Sequence, residues 1–143
     1  MAQAENEKTY DVDAQKYFQA VTDFDHYPEF VDGMKKVVTK KNEAGEIIAD
    51  YEFSMMNKNM SYQVKIKQDP GAGAVSWSLI KSEFFKVNNG AWKIESLGAG
   101  KCKVHYSLEV EFSFSVPGFM LKPMIKGTLP TMMDGFYNRA KKI

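Results

Sequence analysis

Residues 102–115 read Cys-Lys-Val-His-Tyr-Ser-Leu-Glu-Val-Glu-Phe-Ser-Phe-Ser and alternate strictly between apolar and polar side chains. Successive side chains of a β-strand point to opposite faces, so this period of two predicts a long strand with one buried and one solvated face. Such a half-solvated antiparallel sheet needs a second layer over its apolar face. The predicted inward residues are Cys102, Val104, Tyr106, Leu108, Val110, Phe112 and Phe114.

The same period continues toward the N-terminus, as far back as residue 34. Turn-forming residues at 42–45, 57–59, 69–73, 88–90 and 98–100 divide this region into about six strands, and short connections predict antiparallel pairing. The pattern at residues 34–41 is mixed and assigns no face. On the other strands the predicted inward residues are Ile47, Ala49, Tyr51, Phe53, Met55, Met60, Tyr62, Val64, Ile66, Val75, Trp77, Leu79, Trp92 and Ile94.

Helical periodicity frames the predicted sheet on both sides. A short strand at 8–12 precedes a helix over 14–21, for which Asp13 is the expected N-cap, and a second short helix over 26–31, capped by Asp25. After residue 118 a long helix is predicted, with Pro130 expected to kink or interrupt it. Its apolar stripe is Leu121, Ile125, Leu129, Met132 and Phe136.

Composition narrows the class of protein. A length of 143 residues predicts one domain over 1–143, with residues 1–7 as a flexible N-terminus. A net charge of +1 argues against a dedicated DNA-binding protein. The single cysteine excludes an internal disulfide framework. The polar N-terminus shows no targeting signal and no apolar run is long enough to span a membrane, so a cytoplasmic location is expected.

Several short motifs resemble one family in the same order along the chain. Residues 23–30, Asp-Phe-Asp-His-Tyr-Pro-Glu-Phe, resemble the Asp-x-x-x-Tyr-Pro-x-Phe signature of the START-like proteins, the superfamily of polyketide cyclases/dehydrases and coenzyme-Q-binding proteins. Residues 77–79, 89–94, 116–119 and 139–140 are similar to later parts of that family. The resemblance implies an α+β helix-grip fold, in which a curved antiparallel sheet wraps around a long C-terminal helix. It also implies binding of lipids, quinones, sterols or polyketides, and for some members catalysis.

The residues themselves give little support for catalysis. The strand faces that are predicted to point inward carry no Asp, Glu, Lys, Arg or His, whereas catalysis at neutral pH usually needs a titratable group in a site that excludes water. His105 is predicted to face solvent, His26 to take part in local capping beside Asp25, and Cys102 to be a small buried apolar side chain. We therefore predict no catalytic residues, no metal and no cofactor, and we favour a protein that is not an enzyme.

The inward face instead predicts a pocket under the C-terminal helix. Tyr51, Tyr62 and Tyr106 project from three strands, and a buried phenol needs a hydrogen-bond partner. The partner is another phenol, water or a ligand; the alternative is ordinary core packing with the hydroxyls at the rim. Methionine suits a pliable binding surface as well as a core. The predicted cavity-lining residues are Tyr51, Phe53, Met55, Met60, Tyr62, Val64, Trp77, Trp92, Tyr106, Leu108, Met120, Met124, Met132 and Phe136.

Three functions remain open. The first is binding or transport of a hydrophobic small molecule, such as a lipid or isoprenoid quinone, between sheet and helix. The second is a polyketide cyclase/dehydrase-type enzyme, which needs a cavity-facing acid or base from residues 34–41, residues 82–89 or His26. The third is contact with a ribosome or a membrane surface through the basic C-terminal helix, which includes Lys122 and Lys126; a solvated helix face explains the same charges. Ligand identity and oligomeric state are not predicted.

Overall fold

A computed structural model describes residues 2–31, 33–55, 58–115 and 118–143, with side chains except at residues 2, 55, 118–122, 124 and 125. Seven strands and two α-helices, with two short 3-10 helices, make up these residues. In chain order the elements are β1 (Ala2–Tyr10), α1 (Ala14–Thr22), a 3-10 helix (Phe24–Glu29), β2 (Met34–Lys41), β3 (Ile47–Met55), β4 (Lys58–Asp69), a 3-10 turn (Pro70–Ala72), β5 (Ala74–Ser82), β6 (Phe85–Ser96), β7 (Cys102–Phe112) and α2 (Gly118–Ala140).

The strands form one curved antiparallel sheet in the order β1-β7-β6-β5-β4-β3-β2. Neighbours in sequence from β2 to β7 are also neighbours in space, while β1 pairs with the last strand. The chain therefore crosses from one edge of the sheet to the other through α1 and the first 3-10 helix. α2 packs against α1 and β1. This arrangement is the predicted helix-grip fold, and the predicted order of elements is confirmed.

β1 is longer than its sequence pattern suggests. Ala2 pairs with Val110 and Tyr10 with Cys102, so the first strand begins six residues before the predicted start at residue 8. Residues 2–7, which were expected to be flexible, lie in this strand. Their polar composition carries no strand signal; the hydrogen-bonding edge of β7 orders them, because an unpaired strand edge is a template for further pairing.

The predicted turn at residues 88–90 is wrong, because β6 runs through it without a break. The chain reverses instead between β5 and β6 at residues 83–84. There the Ser82 hydroxyl accepts hydrogen bonds from the backbone amides of Phe84 (3.0 Å) and Phe85 (3.3 Å), and it donates one to the Ser61 carbonyl. A serine hydroxyl that bonds amides two and three residues ahead stabilises a tight turn.

Both predicted helix caps are also wrong in detail. Asp13 does precede α1, but its carboxylate makes no cap hydrogen bond and instead accepts one from the backbone amide of Gly100, in the β6–β7 turn. The second helix is a 3-10 helix that begins at Phe24, so Asp25 lies inside its first turn and Asp23 precedes it. The Asp25 carboxylate accepts a hydrogen bond of 2.9 Å from Thr39 of β2. Both carboxylates therefore connect elements that are distant in sequence.

α2 is continuous through Pro130, so this proline removes one backbone hydrogen bond without ending the helix. The C-terminal half of α2 is held firmly. Leu129, Met133, Phe136 and Ala140 are buried against the sheet and α1. Tyr17 of α1 donates a hydrogen bond of 2.9 Å from its hydroxyl to the Met133 carbonyl. A helix anchored at this end fixes one wall of the space that it shares with the sheet.

Candidate functional site

A cavity of about 780 Å³ lies between the concave face of the sheet, the first 3-10 helix and α2. Its volume is within the range of small-molecule binding sites. Aromatic and aliphatic side chains from β3 to β7 form most of the wall. The lining residues are Phe24, Tyr27, Phe30, Val31, Met34, Tyr51, Phe53, Tyr62, Ile66, Val75, Trp77, Phe85, Asn88, Trp92, Tyr106, Leu108, Val110, Phe112, Gly127, Thr128, Leu129, Thr131, Met132, Asp134, Gly135 and Asn138.

Three tyrosines bring phenol hydroxyls into this apolar wall. The hydroxyls of Tyr51, Tyr62 and Tyr106 make no hydrogen bond with any described residue. In the described part of the chain, every fully buried polar side-chain atom has a hydrogen-bond partner. Since these three hydroxyls have none, they are not fully buried and are in contact with open space. Burial raises the pKa of all three phenols above the ordinary value of 10.0. At neutral pH they are uncharged groups that both donate and accept hydrogen bonds.

Ring contacts hold these tyrosines in place. The Tyr51 and Tyr62 rings lie 5.0 Å apart, and the Tyr106 ring meets Trp92 edge-on at 4.6 Å. Trp92 in turn contacts the buried Phe136 of α2 at 5.1 Å. Aromatic pairs in these geometries each stabilise by roughly 1 kcal/mol beyond the area they bury. The hydroxyls therefore sit on rings that packing has already positioned.

A second polar group in the cavity comes from β6. Asn88 is 6% exposed, and its Oδ1 accepts a hydrogen bond of 3.1 Å from the indole Nε1 of Trp77 on β5. The Trp77 ring lies directly over Gly90: a β-carbon at Gly90 would come within 2.3 Å of the indole ring and 2.5 Å of the Ser107 carbonyl. Gly90 is therefore required for the ring to reach across β6 to Asn88.

The sheet changes its pairing at the same place. Backbone pairing between β5 and β6 runs only from Ala74–Lys93 to Trp77–Gly90. Beyond that point the Leu79 amide bonds the side-chain Oδ1 of Asn89, at 3.2 Å, in place of a backbone carbonyl. The two asparagines thus have different roles. Asn88 lines the cavity, and Asn89 connects β5 to β6 through its side chain.

The predicted lining residues fall into three groups. Eight lie on the cavity wall: Tyr51, Phe53, Tyr62, Trp77, Trp92, Tyr106, Leu108 and Met132. Met60, Val64 and Phe136 are buried in the packed core and are not among the lining residues. The side chains of Met55, Met120 and Met124 lie outside the described part of the chain.

Two kinds of lining residue are not in the predicted set. The first 3-10 helix contributes Phe24 and Tyr27, and Phe30 follows directly after it, so the signature segment at 23–30 forms one end of the cavity wall. The Tyr27 hydroxyl itself is occupied, because it donates to the Val21 carbonyl. Asn88 was missed because Asn-Asn-Gly has the composition of a turn. Continuing the alternation of Trp92 and Ile94 backward along β6 would have placed it inward.

The residues considered for catalysis have other positions. Cys102 is fully buried, as expected, and burial raises the pKa of its thiol to about 11. His105 lies on the outer face between Glu5 and Glu7, with ring nitrogens 3.3 and 3.2 Å from their carboxylates. His26 is exposed, and its Nδ1 lies 2.5 Å from the Asp23 carboxylate. Among the side chains that are described, no group of three or more His, Cys, Asp or Glu is placed to hold a metal ion.

Asp134 is the only acidic, basic or histidine side chain among the described lining residues. It lies on α2, where its Oδ1 accepts hydrogen bonds from the Lys8 ammonium (2.9 Å) and the Tyr10 hydroxyl (2.8 Å) of β1. The Lys8 hydrogen bond in particular holds the pKa of this carboxyl below 3.8. Asp134 is therefore an ionised group that joins α2 to β1.

A curved sheet that grips a helix around a largely apolar cavity defines a helix-grip, START-like protein. Residues 10–137 match the family described as polyketide cyclase / dehydrase and lipid transport, and the chain belongs to that family. In the described residues, no helix combines the length and the apolarity that crossing a membrane requires.

Similar proteins include a ribosome association toxin, a START superfamily protein and an aromatase/cyclase. The chain is 25% identical over 130 residues to the ribosome association toxin RatA of Vibrio cholerae, covering 91% of this chain and 89% of that protein. It is 17% identical to a START superfamily protein from Mycobacterium smegmatis (TM-score 0.85, covering 98% and 97%). It is 10% identical to the Zhui aromatase/cyclase from Streptomyces sp. R1128 (TM-score 0.83, covering 99% and 94%). The two solved structures show the shared fold.

Proposed function

We propose that this protein binds a hydrophobic small molecule, of the lipid or isoprenoid quinone class, in the cavity between the sheet and α2. The observation that carries the proposal is a cavity of about 780 Å³ in which three phenol hydroxyls have no partner among the described residues. An apolar pocket with a few convergent polar groups is the usual form of a small-molecule site. The walls supply affinity through apolar burial, and the hydroxyls orient a carbonyl or hydroxyl of the ligand.

Two measurements test this proposal. The first is native mass spectrometry of the purified protein, followed by organic extraction, which we expect to reveal a bound lipid or quinone. The second is titration with 9-fluorenone, a small aromatic ketone, monitored by tryptophan fluorescence. Both tryptophans of the chain line the cavity, so occupancy changes their emission directly. An empty protein whose fluorescence does not respond to the ketone contradicts the proposal.

A matched pair of variants assigns the signal to the cavity. Met132→Lys puts a charge on the cavity wall with a side chain of similar length, and we expect it to weaken ketone binding at least tenfold, because a charge is costly to desolvate. Ile80→Lys makes a comparable change at a side chain that is 46% exposed on β5 and lies outside the lining. Ile80→Lys should bind as the unmodified protein does.

The enzyme alternative uses the same cavity and predicts a different result. It requires proton transfer by a lining group, and the described candidates are Asp134 and the neutral phenols. A cyclase or dehydrase returns a chemically altered molecule, whereas a carrier returns the molecule it received. Incubation with a poly-β-ketone substrate, with the products separated by chromatography, distinguishes the two.

Ribosome contact is a second candidate function, favoured by the similarity to the ribosome association toxins along 91% of this chain. The exposed cations Lys126, Lys141 and Lys142 of the C-terminal segment are a source of attraction for RNA phosphate; the Lys122 side chain lies outside the described residues. We expect Lys126→Glu combined with Lys142→Glu to reduce co-sedimentation with bacterial ribosomes. Lys86→Glu, at an exposed position on β6, is the charge-matched control, and equal loss in both proteins would argue against a contact through α2.

A further inference from the structure

We infer that Asn88 is a specificity-determining residue, which selects ligands that carry a hydrogen-bond acceptor, such as a ketone or quinone carbonyl, at the β6 wall of the cavity. This inference rests on the proposed function and deepens it, because it states which chemical group of the ligand is recognised and by which side chain. It depends on the orientation of one amide.

The orientation follows from the chemistry of Trp77. An indole N–H is a donor only, so the atom of Asn88 that faces Nε1 at 3.1 Å must be the carbonyl oxygen. The Asn88 nitrogen Nδ2, with two hydrogens, is then directed away from the indole. It makes no hydrogen bond with any described residue, and it is not sealed from open space. Since Asn88 lines the cavity, this donor is available there.

The surrounding packing keeps the amide in this orientation. The Trp77 ring lies over Gly90, and it contacts the Tyr106 ring at a centroid distance of 5.6 Å. Asn88 is only 6% exposed and lines the cavity, so a ligand that fills the cavity covers its amide donor. A buried donor that is left without an acceptor is costly, and a ligand carbonyl removes that cost while a hydrocarbon does not.

The phenols have a different selectivity from that of the amide. A hydroxyl at Tyr51, Tyr62 or Tyr106 donates or accepts, so it tolerates either kind of polar group on a ligand. Asn88 Nδ2 only donates. The combination predicts that the β6 wall takes an acceptor oxygen of the ligand and disfavours groups that only donate, whereas donors and acceptors are both accepted beside the tyrosines.

The test compares two ligands of the same shape, 9-fluorenone and fluorene, which differ by one carbonyl. Calorimetry gives the ratio of their dissociation constants for each protein, and apolar contacts cancel in that ratio. We expect Asn88→Leu to shift the ratio against the ketone roughly fivefold, the value of one net hydrogen bond. Asn89→Leu is the matched control, because it makes the same change one residue along, outside the cavity lining, and should leave the ratio unchanged.

Two further measurements keep the test decisive if Asn88→Leu folds poorly. Trp77→Phe removes the indole donor and lets the amide adopt both orientations, which should lower ketone preference roughly twofold while Asn88 is retained. A hydrogen bond lowers the stretching frequency of a carbonyl, and we expect a weaker bond in the Trp77→Phe protein. The infrared carbonyl stretch of bound 9-fluorenone should therefore lie at lower frequency in the unmodified protein than in the variant.

The outcomes separate this inference from the proposed function. If neither 9-fluorenone nor fluorene binds and the purified protein carries no extractable lipid or quinone, the proposed function fails. If both bind but their ratio and the carbonyl stretch are the same in the Asn88 and Trp77 variants as in the unmodified protein, hydrophobic binding stands and the role of Asn88 is overturned.

Discussion

The Tyr10 hydroxyl of β1 donates a hydrogen bond of 2.8 Å to the Asp134 carboxylate of α2, the same oxygen that accepts the Lys8 ammonium at 2.9 Å. This pair joins the first strand of the chain to its last helix. Asp134 lies on the α2 side of the cavity wall. The two hydrogen bonds to its carboxylate therefore help to hold α2 against β1.

The contribution of Asp134 to stability should depend on pH. The folded-state pKa of Asp134 is lowered, so its stabilisation is complete above the ordinary value of 3.8 and is lost as the pH falls below it. We expect Asp134→Asn to lower the free energy of unfolding by less than about 1 kcal/mol at pH 7, because the pair is partly exposed. The difference from the unmodified protein should shrink toward pH 3 in urea unfolding. Glu43→Gln, in the exposed β2–β3 turn, is the control; a difference that persists unchanged at pH 3 contradicts the assignment.

Removing a tyrosine hydroxyl should have different effects in the cavity and in the core. Tyr17→Phe leaves the Met133 carbonyl without its hydroxyl partner, and we expect a loss of about 1 kcal/mol of unfolding free energy. Tyr51→Phe removes a hydroxyl that has no partner among the described residues, so stability should be almost unchanged. Chemical denaturation of both variants tests the contrast. Equal losses would mean that the Tyr51 hydroxyl is bonded within the protein.

Two glycines should respond in opposite directions to the same substitution. Gly90→Ala brings a methyl group within 2.3 Å of the Trp77 ring and 2.5 Å of the Ser107 backbone, and we expect roughly 2 kcal/mol of destabilisation from overpacking. Gly127→Ala in α2 meets nothing within 4 Å, so it should stabilise by up to about 1 kcal/mol through helix propensity. Thermal unfolding of the two variants provides the comparison; a neutral Gly90→Ala would show that the indole does not lie over β6.

The Cys102 thiol should react with a thiol reagent only when the protein unfolds locally or globally. It is fully buried, and its pKa is raised from 9.0 to about 11, so both access and ionisation are suppressed in the folded state. We expect reaction with a disulfide reagent at pH 8 to be slow in native protein and fast in urea. Saturation with 9-fluorenone should slow it further, because a ligand that binds only the folded state suppresses opening. Native labelling as fast as that in urea would place the thiol at the surface.

How much the sequence predicted can be seen on individual strands. The alternation in β7 identified its buried face, and the same reading placed Tyr51, Tyr62 and Tyr106 on that face. It did not separate Tyr62, on the cavity wall, from Val64, in the packed core, although both lie on one face of β4. The period of a strand specifies which face of the sheet a side chain lies on. Whether that side chain packs in the core or lines the cavity depends on the distance between the sheet and the helical layer that faces it.

Local sequence determined the order of the elements, the buried faces of most strands and the family, because periodicity and short motifs are properties of neighbouring residues. Tertiary structure alone decided three other features. Residues 2–7 became a strand because β7 offered an edge, and Asp13 bonded Gly100 in place of its own helix. Asn88 became a cavity donor because Trp77, from another strand, crossed Gly90 to hold its oxygen. In each case the deciding partner is distant in sequence, so no local pattern of residues contains it.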